Sequence, residues 1–438
     1  MDSDILEDWN PWWIQQEVPK ILLGKGRKII QKLYSLMDLR EILIISGIRR
    51  AGKTTLMYQL IDQLLKDGVS PKNILFVNVE DPRFMEENLK TIISAYRQRF
   101  SSDGKMYVFL DEIQEMNHWE QWVKSYYERR IDIKFIISGS NSALLIGEYA
   151  TLLTGRNITM KVFPFAFDEY LTILRGDTVL KDTSLAGTET SDRMIHYLED
   201  FLEHGGFPEP LLRENALFSS VMNQYFQDII YRDVIYRHRV NPKKVTKLAL
   251  HLVTNSGNPM SMRKLRNVTG LSFDSLNNFL EYFEEAFLLK KVDAFSFSTQ
   301  TGLSNQLPRK YYCADTGLRN AIAHRFSMDL GRNAENVVAI ELWRRGILFN
   351  YWMGRGGKGE VDFAYLNDEG NPVGINVSYA NTIEDREIKG LKEFASAMKG
   401  NVDQLLLLTK NVNDEIDSGY DGIMIKFVPL WKWLLGEQ

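Results

Sequence analysis

Between residues 42 and 163 the chain alternates two kinds of segment. Short apolar runs, ILIIS, ILFVNV, MYVFLD, IKFIISG and ITMKVF, are separated by stretches of helical length such as TTLMYQLIDQLLKDG. Apolar runs of five or six residues fit strands buried on both faces. Buried strands alternating with helices predict a parallel sheet covered on both sides. Residues 166–240 read as helical, interrupted by the polar stretch GDTVLKDTSLAGTETSDR, which reads as a loop or linker. Residues 241–325 carry a short helix, a turn at Thr269-Gly270, a longer helix and then a strand, the order of a winged helix-turn-helix. Residues 326–438 read as helix, three strands, helix, two strands and a short last helix, which predicts a separate α/β domain. The pattern thus divides the chain at 1–165, 166–240, 241–325 and 326–438.

Composition narrows this without changing it. A chain of 438 residues has room for several domains of roughly 150 residues each. Hydrophobic residues make up 44% and charged residues 25%, enough to bury large cores. The net charge of −4 excludes a basic footprint over the whole chain and leaves room for a local basic face. The one cysteine, Cys313, allows no internal disulfide and fits a reducing compartment. The first residues, MDSDILEDWNPWW, lack the basic start and apolar core of a secretory signal. No apolar run approaches the roughly 20 residues of a membrane span. The expectation is a cytoplasmic protein without a membrane partner.

The candidate chemistry sits where the first apolar run ends. Gly47, Ile48, Arg49, Arg50, Ala51, Gly52, Lys53 and Thr54, followed by Thr55, match G-x-x-x-x-G-K-[ST] after a strand and at the start of a helix. Glycines let backbone amides close around phosphate oxygens, Lys53 brings charge to the β and γ phosphates, and the Thr54 hydroxyl is a ligand for magnesium. ATP and Mg2+ are the expected cofactors. In YVFLDE four apolar residues make a buried strand and Asp111 emerges at its carboxyl end, positioned to hold the magnesium shell. Glu112 is positioned to activate the attacking water; an Asp-Glu helix cap is the plainer alternative. Ser140 or Asn141, ending the next strand, either senses the γ phosphate or caps a helix.

The order and spacing of GIRRAGKTT, VNVEDPRF, VFLDEIQE, FIISGSN, LLTGRN-x(6)-PFAFDEY, HGGFPEP, YRDVIYR and GEVDF resemble the AAA-type ATPases of archaea and bacteria that carry a C-terminal domain of long-unknown function. The resemblance covers nearly all of the chain. It implies an α/β fold with an AAA+ P-loop parallel-sheet core and helical lid, followed by a winged helix and an α/β nuclease-like domain. Lys53 with Thr54 and Asp111 with Glu112 would be the two nucleotide motifs, and Ser140 or Asn141 the first sensor. Arg156 falls where AAA+ proteins carry an arginine finger that completes a neighbour's site, which implies a homo-oligomer; a surface arginine paired with a carboxylate is the alternative. Gly206-Phe207-Pro208 resembles a lid element near adenine, or is a helix-breaking turn. Arg232 is a further lid candidate. Trp9-Asn10-Pro11-Trp12-Trp13 either covers adenine or staples a leading arm onto the core.

Two further sites stay open. The expected recognition helix, Ser272 to Glu285, carries Asp274, Glu281, Glu284 and Glu285, which disfavour phosphate. Basic residues lie before and beside it: Arg263, Lys264, Arg266, Lys290, Lys291, Arg309 and Lys310. They support DNA contact, against a module used only for packing. The last domain resembles PD-(D/E)XK nucleases, with Glu335 as helix acid and Glu360-Val-Asp362 as the second element. Asn376 and Ser378 stand where that pattern has Glu and Lys, so the site reads as degenerate, short of one anionic ligand and of its cation. The function expected is ATP hydrolysis by a DNA-associated motor or remodeller. The alternatives are a signalling-type ATPase switch that does not act on DNA, and an ATP-gated nuclease.

Overall fold

The computed structural model describes residues 4–84, 86–100, 104–142, 152–176, 188–212, 217–295, 307–323, 329–354, 359–419 and 422–436. Most of the polar stretch that follows Arg175 lies outside these residues. The chain divides into two compact units, residues 1–163 with 285–287, and the remainder.

The first unit is built on five strands, β1 Ile42–Ser46, β2 Ile74–Asn78, β3 Met106–Asp111, β4 Ile133–Gly139 and β5 Asn157–Lys161. They form one parallel sheet in the order β2-β3-β4-β1-β5. The chain leaves β1, crosses to the far edge and returns through β3 and β4. Hence β4 lies between β1 and β3, and the carboxyl ends of all three come together at the switch point where such sheets bind ligands. Every residue of β1 and β3 is buried, as the unbroken apolar runs predict.

Helices α1 Lys53–Lys66, α2 Leu89–Arg99 and α3 Trp119–Glu128 complete the layers. In α1, Leu56, Met57, Leu60, Ile61 and Leu64 are buried at helical spacing. The leading arm covers the edge strand β2. The Asn10 side chain donates to Phe76 O at 2.8 Å and accepts from Phe76 N at 2.7 Å, and the indoles of Trp12 and Trp13 donate to Ile74 O. Unpaired backbone groups of an edge strand are thereby satisfied. The arm is thus stapled onto the core.

The second unit begins with α4 Phe167–Arg175, α5 Thr188–His204 and α6 Phe218–Asp228. The last of these continues into an eight-residue π-helical segment, Ile229–Tyr236. Three helices follow, α7 Pro242–Thr254, α8 Met262–Thr269 and α9 Phe273–Glu285, then an antiparallel pair, β6 Leu289–Val292 and β7 Lys310–Cys313. Gly270 ends α8 in the left-handed region at φ 69°, which is why a glycine stands at the turn. After α10 Thr316–Ala323 and α11 Leu330–Arg344 comes a six-stranded mixed sheet with α12 Asp385–Ala397 against it.

Its strands are β8 Asn350–Met353, β9 Glu360–Leu366, β10 Pro372–Ser378, β11 Gln404–Thr409, β12 Asp414–Asp417 and β13 Met424–Pro429, in the order β12-β13-β11-β10-β9-β8. The sequence pattern missed β12, because DEID has no apolar alternation; pairing with β13 makes it a strand.

Candidate functional site

The nucleotide-type site is assembled from backbone first. A Cβ on Gly47 would lie 1.9 Å from the Val162 carbonyl oxygen, so only glycine fits beside β5. Arg50 and Gly52 take left-handed φ values of 70° and 94°, which fold the loop so that α1 begins at Lys53. Ile48 and Ala51 are buried. The Arg27 guanidinium, which the sequence did not single out, donates to Ala51 O at 3.0 Å and to Phe163 O at 3.1 Å and pins the loop. Amides in the first turn of α1, from Lys53 to Thr55, have no partner within the helix and stand at its positive end.

Side chains converge on the same place. Lys53 is 4% exposed, and its ammonium donates to Gly47 O at 3.0 Å and Ile48 O at 3.2 Å and stands 3.9 Å from Glu112. Thr54 Oγ1 donates to Asp111 Oδ2 at 2.7 Å. The hydroxyl of Ser138 on β4 donates to the other Asp111 oxygen and accepts from Glu112 N at 3.2 Å. Gln114 Nε2 donates to Glu112 Oε2 at 2.6 Å and to Ser140 Oγ at 3.4 Å. Asn141 is fully buried, and its carbonyl accepts from Ser46 Oγ. Arg49 pairs with Glu80 at 3.1 Å. Ser138 and Gln114 were legible only as polar residues near the strand ends; β4 lying between β1 and β3 gives them contacts.

The adjacent carboxyls are driven apart electrostatically. Burial, then the Glu112 carboxylate, push Asp111 up to about 6. Burial also opposes charge on Glu112, but Lys53 and Arg49 outweigh it and hold Glu112 below the usual carboxylate range. Glu112 therefore stays ionised, and a divalent cation beside Asp111 would draw that carboxyl back down. The donors here, a threonine hydroxyl and carboxylate oxygens, are the hard oxygen ligands magnesium takes.

Other predicted residues are not members of this network. Arg156 precedes β5, is partly exposed, and pairs with Glu128 on α3 at 3.1 Å. Pro208 opens a short helical turn in the second unit, after Phe207. There Gly206 N donates to Asp315 at 2.7 Å, and a Cβ on Gly206 would meet Phe165 O at 2.3 Å, so packing accounts for the glycine. Arg232 lies on the exposed side of the π-helical segment.

In the second unit Arg263, Lys264 and Arg266 on α8 are exposed. Lys290 lies over the Trp343 ring, Lys291 pairs with Glu284 at 3.5 Å, and Arg309 pairs with Asp293 at 2.9 Å. The expectation for Lys310 is corrected. It is 2% exposed, because β7 carries it inward, and so it is no part of a basic surface. Its ammonium meets Glu335 at 3.1 Å, Asp362 at 3.1 Å and Glu360 at 2.8 Å, and Tyr312 donates to Glu335 at 2.6 Å. A cation thus stands among Glu335, Glu360 and Asp362, delivered by β7 and not by the strand of Ser378.

Lys310, Glu335, Glu360 and Asp362 line a polar cleft of about 860 Å3, with Ser378 and Glu387. Asn376 joins three elements: it accepts from Asp362 N at 2.9 Å and donates to Glu360 O at 3.2 Å and Glu387 O at 2.9 Å. Among the described residues, no group of three or more His, Cys, Asp or Glu side chains is arranged to hold a metal ion.

Glu387 gives the cleft a pH dependence. Burial, then Asp362, push its carboxyl up from 4.5 to about 7. The folded state then keeps a proton that the unfolded chain has lost, so this group's contribution to stability declines as pH rises from about 4.5 to about 7. Glu387→Gln should gain on the parent across that window, read from denaturant midpoints at several pH values. A difference that does not grow with pH would show that the carboxyl is not so shifted.

With this geometry in place, comparison with known proteins is direct. Residues 39–171 match the family model of an AAA domain, and residues 195–329 and 330–433 match two domains of unknown function, DUF8612 and DUF4143. The uncharacterized protein MJ1544 of Methanocaldococcus jannaschii is 30% identical over 431 residues, which cover 94% of this chain and 92% of that one. An uncharacterized protein of Haemophilus influenzae is 28% identical over 345 residues, 76% of this chain and 82% of its own. A solved Walker-type ATPase of Pyrococcus abyssi is 15% identical, over 70% of this chain and 97% of its own, with a TM-score of 0.45. A P-loop and an acid-ended strand on a parallel sheet, with the AAA-domain match, give this chain an AAA-type P-loop ATPase domain, and the full-length likeness shows that the chain belongs to the same family as MJ1544.

Proposed function

We propose that the chain hydrolyses ATP through Glu112 as general base, with Lys53 and the loop amides from Gly47 to Thr55 binding phosphate and Thr54 and Asp111 holding magnesium. The observation that carries this is the single network linking Lys53, Thr54, Asp111, Ser138 and Glu112. Bound magnesium supplies charge to the phosphates; Glu112, kept ionised by Lys53 and Arg49, takes the proton of the attacking water. Ser140 or Asn141 is the sensor, Arg156 the finger offered to a neighbouring subunit, and Pro208 a lid residue. The Arg156–Glu128 pair is partly exposed, so its release costs little.

The wider role we propose is that of a DNA-associated ATPase, with a lid over 166–240, a winged helix over 241–325 and a nuclease-like domain over 326–438. The exposed basic residues of α8 support DNA contact. One experiment separates the readings: ATPase rate with and without single-stranded, duplex and branched DNA, alongside mass measurement. Turnover stimulated by DNA in an oligomer is expected. Turnover indifferent to DNA, with nucleotide-dependent assembly, moves the reading to a regulatory switch. The cleft of Lys310, Glu335 and Asp362 keeps a nuclease reading in view, but three carboxylates already saturate the ammonium. Magnesium- or manganese-dependent cutting abolished by Asp362→Ala would establish the nuclease.

A further inference from the structure

The segment 231–247, YRDVIYRHRVNPKKVTK, holds six Arg and Lys and one acid, Asp233, on a chain whose net charge is −4. Asp233 is buried, whereas Arg239, Lys243, Lys244 and Lys247 are exposed. The segment spans the π-helical residues up to Tyr236, a turn with Arg239 in the left-handed region at φ 51°, and the first turns of α7. π-Helical segments are rare and recur at functional sites.

Lys243, Lys244 and Lys247 are exposed on α7. Their spacing of three and four residues sets them on one face, one turn from His251. Burial holds His251 below its ordinary value, followed by the charges of Lys264 and Lys247. Lys264 on α8 and Lys247 on α7 therefore both act on the same imidazole, and because α7 packs against α8 the stripe adjoins the basic surface of α8. Among the described residues no carboxylate pairs with Arg239, Lys243, Lys244, Lys247, Arg263 or Lys264.

For an isolated helix this arrangement is unfavourable. The first turn of α7 has no acid and carries two lysines, against the positive end of the helix dipole. Lysines four residues apart repel as well. Asn241 satisfies only the Lys244 amide, at 3.2 Å. A row of phosphates relieves all three conditions at once. Beside it stands Tyr236, 77% exposed, able to stack on a base. The acidic α9, by contrast, carries Asp274, Glu281 and Glu284, and repels phosphate.

We propose that the π-helical segment and α7, continued by Arg263 and Lys264, form the main face that binds the phosphodiester backbone of DNA, in place of the helix that a winged helix-turn-helix usually inserts. This rests on the DNA-associated reading and says where on the chain the contact is made.

The test is a titration of the full chain with fluorescent duplex and single-stranded oligonucleotides, by anisotropy, from 50 to 200 mM salt. The triple variant K243Q/K244Q/K247Q is set against K392Q/K399Q/K426Q, which removes the same charge from exposed positions elsewhere. Each lost phosphate contact flattens the slope of log affinity against log salt by about 0.9 on duplex DNA, so the first triple should lose up to about 2.7 and the second none. The first triple should also keep or raise its melting temperature, because it removes repulsion; a merely structural stripe would melt earlier. A further arm, Tyr236→Ala, should weaken single-stranded binding more than duplex binding.

The inference falls if both triples bind DNA with the parent slope, which leaves the DNA-associated reading intact. It falls together with that reading if no protein binds DNA at the lowest salt. Binding to vesicles of anionic lipid as tight as to DNA, and lost in the same triple, would assign the face to a membrane surface and overturn the proposal.

Discussion

Glu112→Gln is expected to bind ATP as the parent does and to hydrolyse it about a hundredfold to ten-thousandfold more slowly, the usual cost of losing a general base. The substitution is close to isosteric and leaves Lys53, Thr54 and Asp111 in place. What it removes is the one carboxylate of the pair that Lys53 and Arg49 keep ionised. Asp111, pushed up to about 6, does not replace it, because its two oxygens are already engaged by Thr54 and Ser138. Lys53→Ala differs in kind: the ammonium is nearly buried within the loop, so nucleotide binding itself should weaken. Single-turnover rates beside equilibrium binding of a labelled nucleotide separate the two variants. Turnover at the parent rate in the Glu112 variant would remove it from the mechanism.

Lys310→Met should destabilise the second unit by about 3–5 kcal/mol, the cost of stranding buried charge without its partner. Glu335 and Asp362 carry most of this, since both are largely buried; Glu360 is about half exposed and contributes little. In a unit of this size the loss corresponds to a fall in melting temperature of roughly 10 °C. The triple variant K310M/E335Q/D362N should recover most of it, because neutral amides need no cation. That rescue distinguishes a charge effect from a packing effect. A loss below about 1 kcal/mol in the single variant would mean that the ammonium does not hold the cluster together.

Much of the nucleotide site is local in the sequence. The P-loop is eight consecutive residues, and Asp111 and Glu112 are adjacent at the end of an apolar run, so motif and burial coincide within short windows. The succession of a short helix, a turn at Gly270 and a longer helix was legible for the same reason: Ser261 caps α8, Gly270 ends it and α9 follows directly. Stapling of the leading arm was one of two readings of its tryptophans, and only the fold shows Asn10 pairing with the backbone of Phe76.

By itself the sequence determined the parallel α/β core, the phosphate loop and its acids, and the helical character of the middle of the chain. Each follows from periodicity or from residues a few positions apart, where the geometry of one strand or one helix turn is enough. Tertiary structure alone decided that β4 lies between β1 and β3, which brings Ser138 between Asp111 and the Glu112 amide. It alone carried Lys310 inward to Glu335 and Asp362, 25 and 52 residues away. It also packed α7 against α8, so that Lys247 and Lys264 both act on His251. The physical reason is common to all three. Electrostatic energy depends on distance in space and on burial, and neither is written in the spacing of residues along a chain that turns back on itself.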